Sequence, residues 1–212
     1  MPPAQYNQTL RIIPLLIVFG GLPGTGKTTL AKAVATRYAA VYLRIDTIEM
    51  AIRATGMLLE DIGPAGYVIA YRVAEENLRL GRVVVADSVN SLQITRESWS
   101  QVARNAHMPL VEIEVLCSDP VEHRRRIESK EPDLDGLPPL TWASVCDRTY
   151  EKWSAPHLIV DTAGKSVTEI EQELTDRLSA AGHLSPEIRV LNRPAEKNPP
   201  ASRHMGGIIG PY

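Results

Sequence analysis

Five short runs rich in Val, Ile and Leu punctuate the chain, at Leu15–Phe19, Val41–Leu43, Val83–Ala86, Leu110–Leu116 and Leu158–Val160. They read as strands covered on both faces. Between them, apolar positions recur at helical spacing, as at Tyr67, Ala70, Tyr71, Ala74 and Leu78. Strand and helix therefore alternate, which predicts an α/β fold: a three-layer sandwich around a five-stranded parallel sheet. Helix starts carry their own chemistry. Asp119 precedes Pro120 and Glu122, and Ser166 precedes Glu169, each an N-cap with a carboxylate three residues on. The stretch Glu131–Pro139, with three prolines and a glycine, lies between two helical patterns and reads as a movable loop, the centre of a lid over about 124–141.

Composition narrows this to one globular unit. The 212 residues are 44% hydrophobic and 23% charged, ordinary globular usage. From Gly182 the pattern gives way to scattered prolines and late glycines, so the expected division is a domain over 1–181 and a Pro/Gly-rich tail over 182–212. The formal charge of −2 gives no global pull toward nucleic acid or membrane, so any polyanion has to be held locally. Cys117 and Cys146 form neither a metal spacing nor a disulfide framework, and Ile12–Phe19 is too short to span a bilayer. A cytoplasmic monomer or homodimer is expected.

The strongest chemical signal follows the first strand. Gly21-Leu22-Pro23-Gly24-Thr25-Gly26-Lys27-Thr28 satisfies G-x-x-x-x-G-K-[ST] between that strand and a helix predicted over Thr28–Tyr38. Phosphate oxygens require converging backbone N–H donors, which glycines permit, and the helix N-terminus adds partial positive charge. Gly21, Gly24, Thr25, Gly26, Lys27, Thr28 and Thr29 are the candidate ATP-binding residues. Lys27 suits the β- and γ-phosphates, and the Thr28 hydroxyl suits Mg²⁺.

Two aspartates lie where an open α/β sheet takes its ligands. Asp87 closes Val83–Ala86 in the Walker-B manner and is a second candidate for Mg²⁺. Asp46 is placed at the tip of the second strand, where its carboxylate would accept the proton of an acceptor hydroxyl; with Glu49 it also fits a capping pair for a helix over Ile48–Ala54. Ser88 and Asn90 suit either an acceptor pocket or turn chemistry. In the basic run His123–Arg126, Arg126 is the first candidate to stabilise charge on a transferred phosphoryl group, and Arg148, on the helix after the loop, is the second. The histidines lack metal-ligand spacing, and Trp142 and Trp153 read as helix packing.

Together the phosphate loop, Asp46, Asp87, the arginine-rich helix and the loop after it resemble the small P-loop kinases often labelled AAA-type ATP-binding proteins, whose relatives include chloramphenicol phosphotransferase, the zeta toxin, gluconate kinase and the polynucleotide 5′-kinases. The resemblance spans about Leu10 to Leu178. It implies a P-loop NTPase fold of the kinase type, an acceptor-activating role for Asp46, and lid-arginine roles for Arg126 and Arg148. Asp161–Gly164 resembles the segment that passes near the adenine. Two departures stand out: Glu49 occupies a position where many members carry arginine, and Lys130 replaces a second lid arginine.

The expected activity is transfer of the ATP γ-phosphoryl group, with Mg²⁺, to a hydroxyl of a small molecule. A nucleotide-dependent regulatory or assembly ATPase is an alternative, although a core of about 180 residues leaves no room for the extra helical domain of such machines. A polynucleotide 5′-kinase is another, disfavoured because phosphate contacts would require a basic groove.

Overall fold

Strands form where the apolar runs allow burial on both faces. In the computed structural model, which describes residues 13–56, 62–137 and 139–182, the strands are β1 (Leu16–Gly20), β2 (Val41–Arg44), β3 (Val84–Asp87), β4 (Leu110–Leu116) and β5 (Leu158–Asp161). All pair in parallel, in the order β2-β3-β1-β4-β5. The helices are α1 (Lys27–Arg37), α2 (Ile45–Ala54), α3 (Ala65–Arg79), α4 (Gln93–Ala106), α5 (Pro120–Glu128), α6 (Trp142–Cys146) and α7 (Val167–Ala180). The tail expected from Gly182 onward lies outside the described residues except for that glycine.

β1 is central, and its alternate side chains feed two cores. Leu15, Ile17 and Phe19 pack with Leu30 and Val34 of α1 and Leu174 and Leu178 of α7. Leu16 and Val18 pack with Ala70, Ala74 and Leu78 of α3 and Trp99 and Val102 of α4. This period-two division of one strand between two helical layers creates the three-layer sandwich. The helix starts follow the capping chemistry. Asp119 accepts from the N–H groups of Val121 and Glu122, and Ser166 and Glu169 bond reciprocally at the start of α7.

Four local expectations need correction. β2 runs without a turn into α2: extended Arg44 is the N-cap, and Asp46 falls inside the first helical turn, so it neither ends the strand nor caps with Glu49. The proposed lid is helical up to Glu128, because the Asp119 cap propagates α5 that far, and the irregular segment begins after it. Arg148 follows α6 instead of lying on it. Trp153 sits in the irregular segment before β5; Trp142 does open α6, edge-on to the His123 ring at 5.1 Å.

Trp153 has a different task. It covers Gly20 so closely that an added Cβ would stand 2.5 Å from the indole, and Arg96 of α4 stacks on its other side at 4.8 Å. The same guanidinium donates to the Asn90 carbonyl at 2.8 Å. Asn90 is fully buried, donates to the Phe19 carbonyl at 3.0 Å, and accepts from Trp99 Nε1 at 3.2 Å. It is therefore a brace behind the sheet edge and lines no acceptor pocket. Trp99, fully buried and edge-on to Tyr71 at 4.6 Å, anchors that brace. Trp99→Ala is expected to lower unfolding stability by about 3–5 kcal/mol, read from urea denaturation; a loss below about 1 kcal/mol contradicts this role.

Candidate active site

The C-terminal edge of the sheet opens into a cleft of ≈ 900 Å³. Its lining brings together Gly24, Gly26, Lys27, Thr28 and Thr29 from the phosphate loop and α1, Asp46, Glu49 and Met50 from α2, and Arg126, Lys130 and Arg148 from beyond β4. A smaller pocket of ≈ 270 Å³ adjoins it, between Thr29, Leu30, Arg126, Thr162, Lys165, Val167 and Ile170. Gly24, Gly26, Thr29 and Arg126 line both. Among the described residues no group of His, Cys, Asp or Glu forms a metal cluster, and no helix is long and apolar enough to cross a membrane.

The loop is shaped from behind. Gly21 donates its N–H to the Val89 carbonyl at 3.0 Å, and its φ of +140° sets the backbone where a Cβ would run into the Val115 carbonyl oxygen. The Thr25 hydroxyl donates to Leu22 O at 2.9 Å, and the Thr162 hydroxyl donates to Thr25 O, also at 2.9 Å. Neither Gly21 nor the Thr25 side chain faces the cleft; both hold the loop's curvature. On the far side, His123 Nε2 lies 2.7 Å from the Pro23 carbonyl, which only accepts, so this nitrogen carries the proton. Gly24 is seated against Ile127 of α5, 2.5 Å from where its Cβ would stand.

Lys27 is buried, and burial pulls its ammonium below the usual lysine range while Asp87 and then Asp46 oppose that pull. Asp87 is itself buried, and Tyr42 donates to its Oδ2 at 2.7 Å. Burial, followed by the Asp87 charge, pushes the Tyr42 phenol well above its ordinary value, so it remains a donor.

Arg44 organises the part of the cleft next to Asp46. Its buried guanidinium donates from Nε and NH2 to Asp46 Oδ2 at 3.2 and 3.1 Å. It also grips Asp133, at 2.6 Å to Oδ2 and 3.0 Å to Oδ1. Burial works against the Arg44 charge, but the two carboxylates more than offset it and raise its pKa. The hydrogen bonds from Arg44 hold the Asp133 carboxyl at about 2.

Arg126 lines both pockets. It projects from α5, pairs with Glu122 at 2.6 Å, and donates to the Thr162 hydroxyl and carbonyl at 2.8 and 3.0 Å. It thus stands between the two pockets, bonded to both Glu122 and Thr162. Arg148 reaches the cleft from an exposed bend, and Lys130 lines the same wall. Sequence reasoning missed Arg44, Tyr42, His123 and Asp133. Tyr42 and Arg44 flank the β2 run that pointed to Asp46, the one available signal; nothing local marks the others.

Two outcomes follow. Gly21→Ala is expected to lower unfolding stability by about 1–3 kcal/mol in urea denaturation, because a Cβ there would run into the Val115 carbonyl oxygen and the loop would have to move. For Asp133 the folded carboxyl is depressed, so its stabilisation is present above the unfolded value of about 3.9 and is lost as pH falls through about 2. Asp133→Asn should therefore flatten the stability loss between those pH values in denaturant titrations.

Comparison with known proteins gives a family and a fold. A family model described as an AAA domain matches residues 16–138. A curated relative, the Caenorhabditis elegans protein described as "Probable 26S proteasome regulatory subunit 4", is 37% identical over 94 residues, or 44% of this chain and 20% of that protein. The chain thus spans about a fifth of that relative's length. Among solved structures, APS kinase from Mycobacterium tuberculosis in complex with AMPPNP and APS is 20% identical, with a TM-score of 0.57 over 79% of this chain and 98% of that one. A gluconokinase from Sinorhizobium meliloti is 18% identical, with a TM-score of 0.52 over 82% and 100% of the respective chains. A sugar kinase from Janibacter is 16% identical, with a TM-score of 0.56 over 80% and 96%. These likenesses establish the shared α/β fold.

Proposed function

The chain belongs to the AAA domain family, and from that premise we propose that it is a P-loop kinase that moves the γ-phosphoryl group of ATP to a hydroxyl of a small-molecule acceptor. One observation carries the reading: Lys27 of the phosphate loop and the carboxylate of Asp46 line the same cleft, close enough that Asp46 offsets the desolvated ammonium. A phosphate-binding cation and a proton acceptor at one opening suit transfer to a hydroxyl. That the structural neighbours include an APS kinase, a gluconokinase and a sugar kinase supports an acceptor of metabolite size.

In this reading the backbone of Gly24–Lys27 and the N-terminus of α1 receive the phosphates, while the pocket between Thr162, Val167 and Ile170 takes the base. Magnesium fits the donors present: the Thr28 hydroxyl lines the cleft, and the Asp87 carboxylate, close enough to Lys27 to act on its charge, keeps Oδ1 beyond the Tyr42 bond. When bound, the ion would neutralise phosphate charge. Lys27 and Arg126 hold the phosphoryl oxygens, with Lys130 and Arg148 on the opposite wall. Asp46 orients the acceptor hydroxyl and takes its proton as the oxygen bonds to phosphorus and the bond to the ADP leaving group breaks. Leu137, Leu140, Met50 and Val89 give the acceptor end an apolar wall.

The test is to incubate the protein with ATP, magnesium and a pool of sugars, polyols and nucleosides, and to search for a phosphorylated product by mass spectrometry. Asp46→Asn should slow that transfer by about 10²–10⁴-fold with ATP affinity within twofold of the parent. Unchanged transfer by the variant sinks the assignment of Asp46, and no product from any acceptor sinks the kinase reading.

A further inference from the structure

The Arg44 fork is shared between two carboxylates that belong to different parts of the chain. Asp46 lies two residues on, at the start of α2, whereas Asp133 lies 89 residues on, in the irregular segment after α5. Asp133 also stands 3.8 Å from Lys32 of α1, so the segment is fastened across the phosphate-loop helix as well. The division of bonds is uneven. Asp133 takes two parallel bonds, one on each oxygen, the strong geometry of an arginine–carboxylate pair. Asp46 takes both of its bonds on Oδ2, which leaves Oδ1 to receive a hydroxyl.

Consider the same site with the segment lifted away. The Arg44 side chain is only 4% exposed, so its charge cannot turn to water for compensation. NH1 loses its partner, and the nearest remaining carboxylate is Asp46. A guanidinium fork that closes on Asp46 engages both of its oxygens and removes the acceptor that the reaction needs. With Asp133 seated, the fork is occupied and Asp46 keeps one oxygen available.

Resting on the kinase reading above, we propose that Asp133 is a positioning residue: by occupying the Arg44 fork it frees Oδ1 of Asp46, so the base becomes competent only when the segment carrying Asp133 is seated on β2. Asp133 is not among the residues that line the cleft, whereas Arg44 is, so Asp133 acts through Arg44. The device couples docking of the segment to orientation of the base, so that turnover is confined to the covered cleft.

The experiment uses the full chain with magnesium and ATP, water serving as the acceptor, and compares Asp133→Ala, Asp133→Glu and Asp46→Asn with the double variant Asp46→Asn/Asp133→Ala. Asp133 is partly exposed, so its replacement leaves the core intact. Asp133→Ala should lower kcat by about 10–100-fold, the size expected when a catalytic group is displaced by about an ångström, while affinity for a fluorescent ATP analogue stays within twofold. Asp133→Glu should recover most of the loss. In the Asp46→Asn background the alanine should cost nothing more, since both changes act through one carboxylate. A full, multiplicative loss in the double variant overturns the proposal, because the segment would then serve catalysis without Asp46. Amide hydrogen exchange over residues 130–137 supplies a readout independent of turnover. It should rise at least tenfold in Asp133→Ala and stay unchanged in Asp46→Asn, and an unchanged rate in Asp133→Ala overturns the latch. If the parent protein turns over no ATP with water, the kinase reading still stands or falls on its own acceptor test, and the exchange result decides the latch alone.

Discussion

A lysine ammonium buried at the edge of a parallel sheet sets the terms for everything around it. A cation removed from water is tolerated only where negative charge or directed acceptors compensate for the lost solvation. Here Asp87 and Asp46 provide that charge, from two neighbouring elements at the same edge. The requirement explains why an acid ends β3 despite the apolar run before it, and why Tyr42 has to donate to that acid in its buried position. It also gives meaning to the near-neutral overall charge. Lys130 on the facing wall disfavours the Lys27 charge, so the cleft is locally short of anions although the molecule as a whole is not.

The sheet can be read from the sequence because its inner strands, β1 and β3 above all, are buried on both faces, which leaves Val, Ile and Leu runs that few other structures require. The caps at Asp119 and Ser166 were equally legible, since the bonds that make them span three residues. Asp46 shows where such local logic fails. Its spacing to Glu49 matches a capping pair, but β2 passes directly into α2, and the pair falls one step inside the helix. A motif of two residues cannot encode where the preceding strand stops. For Arg126 the sequence displays the partner four residues away, Glu122, and hides Thr162, which is 36 residues away and accepts two of its bonds.

The organisation of the cleft around Arg44 and Asp46 is the least legible for the same reason. Arg44 sits in an ordinary strand, and its partner Asp133 sits in a proline-rich stretch whose composition announces a loop and nothing more. Only the fold shows that the guanidinium is buried and that two acids compete for it. Glu49, a departure from the arginine common in the resembling kinases, lines the same cleft and lies against Gly66 of α3. This region is where chains with a common sheet and phosphate loop can diverge in what they accept, since it is built from long-range pairs that vary without disturbing the core.

The supports of the phosphate loop carry a consequence for the order in which the protein is made. Residues 21–28 are made before the groups that shape them, which come from far along the chain: Val89 after β3, Val115 of β4, His123 and Ile127 on α5, and Thr162 after β5. The motif therefore gains the last of these supports only when the chain has been made as far as Thr162 and has docked. A nascent chain that ends before β5 thus carries the whole motif without the Thr162 bond that completes its support.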